Sequence, residues 1–269
     1  MSATAPVAPR TIDISNTAPI PFTRLIGVEF RKSYDTRAGF WLLATIGILV
    51  TLAETIVTIV GITQDDADLN FGNFVQVAAF LTAVLLPVLG ILLVTGEWGQ
   101  RTAMVTFSLE PRRSRVIGAK YVVGLVLTLV TALVAVVVGA VCNAVLGLAT
   151  GGADWTFGWS IFIGFLLLQS IAMTTGFALA ALLLNTPAAI VVFFALTYVV
   201  PTILAIASVF LDWFEDFSHY IDFQRAQQPL ADLSLNTGSE WAQLLVSGAI
   251  WLGIPLVLGL RRILSAEVK

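Results

Sequence analysis

The chain has 269 residues, 58% of them hydrophobic and only 12% charged, with a mean hydropathy of +0.92 and a net charge of −3. Soluble domains carry about 25% charged residues, and an apolar excess this large cannot fit inside one core, so lipid must solvate much of the chain. One cysteine, Cys142, excludes an intrachain disulfide, and with His219 as the sole histidine there is no Cys/His cluster to suggest a metal site.

Residues 1–21 are rich in Pro, Ala and Thr with little apolar continuity, and read as a disordered tail without signal-peptide features. Residues 22–269 read as a single membrane domain. In Phe22–Ala38, FTRLIGVEFRKSYDTRA, helical spacing puts Phe22, Leu25, Ile26 and Phe30 on one face and Arg24, Arg31 and Asp35 opposite. That predicts an amphipathic helix on the membrane surface. Glu29 interrupts the apolar face, and Lys32, three residues on, is its expected charge partner. The plainer alternative is an ordinary basic segment beside the membrane.

Six apolar runs reach the length of about 20 residues that a spanning helix needs. They are Phe40–Ile62, Phe74–Thr95, Val116–Leu148, Gly158–Leu184, Ala188–Phe210 and Trp241–Leu260. The third is too long for one straight span, and is expected to tilt or to extend past the membrane near Gly139–Gly147. Asn185-Thr186-Pro187 predicts a tight hairpin between the fourth and fifth. Pro87, Pro201 and Pro255 are expected to kink their spans. The absence of ten-residue alternation argues against a β-barrel. The fold class is therefore an all-α membrane protein with six transmembrane helices.

Charge placement orients it. Thirteen of the 14 basic residues precede the first run, follow the last, or lie between or just inside the second and third, and only Arg225 falls in the opposite set of loops. Asp65, Asp66, Asp68, Asp154, Asp212, Glu215, Asp216, Asp222, Asp232 and Glu240 all fall in that opposite set. The positive-inside rule then places both termini in the cytoplasm.

The second-to-third connection, Gly96 to Arg115, holds six charged residues. Gly96–Ser108 contains no proline and predicts a short helix, with Trp98, Val105 and Leu109 on one side and Glu97, Arg101 and Ser108 beside it. Pro111 ends it. Arg112, Arg113 and Arg115 serve equally well as plain topology markers.

Within the spans, Glu54 is disfavoured against lipid and should face the interior, a cavity or the outer interface. It reads as a substrate or gating residue, or as a structural group hydrogen-bonded to a neighbouring Thr or to Gln169. Asn143 and Gln169 carry the same pair of readings. Leu211–Glu240 mixes Trp213, Phe214, Phe217, Tyr220 and Phe223 with acids, and reads as an interfacial or re-entrant piece or a solvated acidic loop with aromatic anchors. His219 reads as a surface residue.

The segment EFRKSYDTRAGFWLL, followed by GEWGQRTAMVTFSLEPRRSRVIGAKY, resembles the permease subunits of bacterial ABC-2-type transporters over nearly the whole chain after residue 20. Its sharpest part is Glu97, Trp98, Thr102, Pro111, Arg112, Arg113, Ala119 and Lys120. The resemblance implies a coupling helix over Glu97 to Ser108 that docks on a separate ATPase, with Glu97, Trp98, Arg101, Thr102, Met104, Arg112 and Arg113 serving the coupling. It also implies an interfacial helix carrying Phe22, Ile26, Phe30, Arg31 and Lys32. Two ATPase subunits holding ATP and Mg²⁺, and a second permease copy or a paralogue, complete the implied assembly in the inner or plasma membrane. No cofactor on this chain and no nucleic-acid partner are implied. The expected activity is export of a hydrophobic or amphipathic compound such as a drug, lipid or peptide.

The sequence contains no G-x-x-x-x-G-K-[ST] phosphate loop, so ATP hydrolysis is expected of a partner and no catalytic residue is expected here. Two other classes are weighed against this one. A proton-coupled secondary transporter would use intramembrane ionisable groups, of which Glu54 is the clear candidate. A membrane scaffold or sensor would use the same polar loop to dock another soluble partner.

Overall fold

The structure, a computed structural model, describes residues 20–64, 69–100 and 102–265, with the backbone alone for Asp212. The tail up to residue 19, Asp65, Asp66, Asp68 and Arg101 lie outside the described residues. Those described form ten α-helical elements, a short 3₁₀ turn at Gln228–Leu230 and no strand. In chain order these are α1 (Phe22–Asp35), α2 (Arg37–Thr63), α3 (Phe71–Gly99), α4 (Ala103–Leu109), α5 (Arg113–Thr150) and α6 (Trp159–Leu183). Then come α7 (Thr186–Phe210), α8 (Asp212–Ile221), α9 (Phe223–Gln227) and α10 (Gly238–Ser265). Six of them, α2, α3, α5, α6, α7 and α10, are long and apolar enough to cross a membrane. The chain is a multi-pass membrane protein.

Helix ends follow local chemistry. Thr36 caps α2 by accepting from the Gly39 N–H at 3.2 Å. Asn70 and Asn73 form a reciprocal capping box at α3, and Thr237 and Glu240 do so at α10. The predicted hairpin is present. Leu184 closes α6 in the left-handed region, φ 51°, Asn185 accepts from the Ala188 N–H, and Pro187 sits in the first turn of α7.

The helices are not equivalent. Half or more of the apolar stretch of α3 (50%) and α6 (56%) is buried, against 11% for α7, so α3 and α6 form the centre and α7 an edge. The central pair makes the most extensive contact in the molecule. Glycine permits it. A Cβ on Gly90 would come within 2.5 Å of the Met173 carbonyl, and one on Gly176 would strike the backbone of Pro87. Small residues that let backbones approach are the usual basis of helix association in lipid. Phe177, Met173 and Ile91 fill the core beside this crossing.

α5 is one unbroken helix of 38 residues, about 57 Å at the usual rise against a hydrocarbon layer of about 30 Å. α7 and α10 each change register once. Ala195–Val199 and Ala249–Gly253 take i→i+5 bonding, just ahead of Pro201 and Pro255. Proline has no N–H for the carbonyl four residues back, and a local widening of the helix accommodates that loss. Where kinks were expected at these two prolines, the structure shows a π-turn in each helix.

One reading needs correction. Gly96–Ser108 is not one helix: α3 continues through Gly99, and α4 starts only at Ala103. Gly99 weakens the helix, and the Thr102 N–H turns back to the Glu97 carbonyl at 2.9 Å to close it. Trp98 therefore belongs to the end of a span and does not share a face with Val105 and Leu109. Just ahead of α1, the Ile20 carbonyl accepts from the Arg115 guanidinium at 2.5 Å.

Candidate functional site

The densest charge cluster sits where α1, α3, α4 and α5 meet at the basic end of the bundle. Glu29 projects from the inner face of α1 and is 4% exposed. Its Oε1 takes the Lys32 ammonium at 2.7 Å and its Oε2 takes Lys120 of α5 at 2.6 Å. Glu97, at the end of α3, takes the same two ammoniums on Oε1, Lys32 at 2.7 Å and Lys120 at 3.2 Å. The Thr106 hydroxyl of α4 donates to that same oxygen at 3.2 Å. Two carboxylates and two ammoniums sum to zero, and each charge has at least two partners, which is what a buried ionic group requires. Burial alone would pull the Lys32 ammonium down. Hydrogen bonds to Glu29 and Glu97, with the charges of both, outweigh it and hold the group above its ordinary 10.5.

This junction borders a cavity of about 360 Å³ beneath α4, floored by Leu89, Leu92 and Leu93. α4 is therefore not packed continuously on the bundle. It is held by buried Ala103, by Thr106 on Glu97, and by Phe107 against Trp98 at 6.3 Å between ring centroids. Met104 and Leu109 face out, 49% and 72% exposed, while Val105, 61% exposed, also lines the cavity. A seven-residue helix on few attachments, with an apolar outer surface, can dock a partner and pass its displacement to the helices behind it.

The flanking arginines bind inward. Arg113 donates to the Ile263 carbonyl of α10 at 2.9 Å and lies 5.0 Å over the Phe107 ring. Arg115 pairs with buried Glu110 at 2.9 Å. Arg112 is exposed, as are Arg31 and Thr102, whose hydroxyl reaches the Glu97 carbonyl at 3.5 Å. On α1, Ile26 and Phe30 pack against Leu89, Leu93, Val123 and Leu127, while Phe22 stays 39% exposed. The bundle-facing side of α1 thus includes Glu29, which anchors that face where an interruption was expected.

A second set of polar groups lies toward the acidic end. Glu54 of α2 is fully buried, with its carboxyl near Gly139 of α5, where an added Cβ would come within 3.3 Å of Oε1. Neither carboxyl oxygen has a hydrogen-bond partner among the described residues. Thr58 donates to the Glu54 backbone carbonyl at 2.8 Å, and Gln169 donates to the Ala79 carbonyl at 2.8 Å. The expected side-chain bond from Thr or Gln169 to Glu54 is therefore not made. Asn143 donates to the Asp154 carbonyl at 3.0 Å and ties α5 to the following loop. One oxygen each of Asn143 and Gln169 remains unpartnered. His219 is half-buried.

The structure brings Glu97 and Lys32 together, leaves the Glu54 carboxyl unpartnered among the described residues, and ties Asn143 and Gln169 to separate backbone carbonyls. Sequence reasoning found the Glu29–Lys32 pair through its three-residue spacing. It missed Lys120 and Thr106 as partners, because 91 residues separate Lys120 from Glu29 and no local pattern links them. No protein-family model matches this chain, and comparison with curated proteins gives no match.

Proposed function

We propose that the chain is the permease subunit of an ATP-driven ABC-2-type exporter in the inner or plasma membrane, moved by a separate ATPase. The observation that carries this reading is the junction behind α4. The exposed Met104 and Leu109 offer a docking surface, and Glu97 links α4 to α1 and α5 through two lysines. A displacement of α4 is passed to three helices together, and coupling between sites requires such a shared element. The ATPase, in two copies, binds ATP and Mg²⁺. A second permease copy or a paralogue completes the pathway, and the cargo is hydrophobic or amphipathic.

The test is co-expression with the ATPase encoded beside this gene, followed by co-purification and ATP turnover. Leu109→Asp is expected to weaken ATPase capture about tenfold or more, the effect of spoiling one buried interface anchor. Thr106→Val is expected to keep capture but to lower cargo-stimulated turnover. If no ATPase is retained by the wild-type chain, the reading fails.

The unpartnered Glu54 favours one second reading, a proton-coupled secondary transporter. That reading requires uptake or efflux driven by a pH gradient with no ATPase present, abolished by Glu54→Gln.

A further inference from the structure

Toward the acidic end lies a cavity of about 350 Å³ between α3, α6, α7, α9 and α10. It falls at the small end of the range for small-molecule sites, about 300–1,000 Å³. Its lining includes the aromatic residues Phe193, Tyr198, Phe223 and Trp251, together with Gln224 and Gln228. None of its lining residues is Asp, Glu, Lys, Arg or His. Glu215, Asp222 and Arg225 line a different cleft nearby.

Both π-turns of the molecule open onto this space. Leu196, Thr197 and Tyr198 come from the first, and Trp251 from the second. The prolines that follow take away the α-helical donor of two particular carbonyls, because Pro201 is four residues after Thr197 and Pro255 four after Trp251. Both residues line the cavity. The walls are also held in place. The Trp251 indole N–H donates to the Ile221 carbonyl at 2.7 Å, and Gln227 donates to the Phe223 carbonyl at 2.9 Å. π-turns recur at functional sites, and here two meet at one chamber with aromatic and no charged lining residues.

We propose that this cavity binds an uncharged, ring-bearing small molecule that carries a hydrogen-bond donor. The aromatic faces select rings through offset and edge contacts. The side-chain amides of Gln224 and Gln228 meet the donor. A formal charge is excluded because no counter-charge lines the space, and burying an unpaired ion is strongly unfavourable. A lipid acyl chain would leave the amides unused. The proposal rests on the cavity and not on the transport reading, so binding can hold where no ATPase docks.

The test uses the purified full chain in a non-ionic detergent. N-phenyl-1-naphthylamine, which is neutral, aromatic and carries one N–H, is titrated by energy transfer from tryptophan. Its anionic relative 8-anilinonaphthalene-1-sulfonate is titrated alongside. The neutral probe should saturate near one per chain, and the anion should bind at least about tenfold more weakly. Ala172→Phe fills the cavity from α6 and should weaken the neutral probe at least about tenfold with an unchanged elution volume. If that variant misfolds, Ala83→Leu fills the same space from α3. The proposal is overturned by a signal that rises without saturation, by anion binding as tight as the neutral probe's, or by a folded filled variant that binds the probe as wild type does.

Discussion

The two ends of the bundle handle buried polar groups in opposite ways. At the basic end, Glu29, Glu97, Lys32 and Lys120 partner one another completely, and the junction unites four helices. Toward the acidic end, Glu54 has no side-chain partner among the described residues, Asn143 and Gln169 each leave an oxygen unsatisfied, and two helices widen into π-turns. A satisfied buried network rigidifies, whereas an unsatisfied buried group costs stability and persists where something other than stability selects it. The basic end therefore has the character of a mechanical joint, and the acidic half that of a region built around groups awaiting a ligand, a proton or a partner.

The largest test of that contrast removes Lys120. Lys120→Met leaves Glu29 and Glu97 sharing the half-exposed Lys32, and breaking a buried ion pair from one side costs about 3–5 kcal/mol. The variant should melt well below wild type in the same detergent. Adding Glu29→Gln should recover part of the loss, since the stranded charge goes with it. A variant that melts with wild type would show that the four charges do not act as a unit.

At Glu54 the sign should reverse. Glu54→Met keeps the length of the side chain and deletes a buried carboxyl that no group satisfies. The expected change is a gain of about 1–3 kcal/mol, the usual cost of an unsatisfied buried polar group. The same variant should lose transport if the carboxyl serves cargo or protons, a trade between stability and activity. Destabilisation by Glu54→Met would mean that the carboxyl is held by contacts other than hydrogen bonds, and would erase the contrast between the ends.

Much of this was legible in the sequence. All six spans follow from hydropathy, because a run of about 20 apolar residues has few alternatives in lipid, and their observed ends lie within a few residues of those expected. Asn185-Thr186-Pro187 encodes its turn locally and was found. Gly99 was the signal for the break before α4, but the absence of proline was weighed instead. The junction was readable only as far as the Glu29–Lys32 spacing. Lys120 and Thr106 reach it through the packing of α5 and α4, which no local pattern specifies. Pro201 and Pro255 are visible as helix perturbations, but the convergence of the π-turns ahead of them on one cavity depends on how α7 and α10 pack around α6.

The smallest expected effect concerns Lys32 alone. Its two carboxylate partners hold the ammonium above the ordinary 10.5 despite burial. A folded value above the unfolded one means that the stabilisation is complete below about pH 10.5 and drains away as the pH rises through the folded value. The side chain is 40% exposed, so solvent screens the pair and the contribution is modest. Melting temperature measured upward from pH 9 should therefore fall more steeply for wild type than for Lys32→Gln, and the two curves should converge at the alkaline end. Parallel curves would assign the joint to Lys120 and its two carboxylates, with Lys32 a solvent-facing ornament of α1. Convergence would establish that the surface helix is bound into the joint by charge as well as by Ile26 and Phe30.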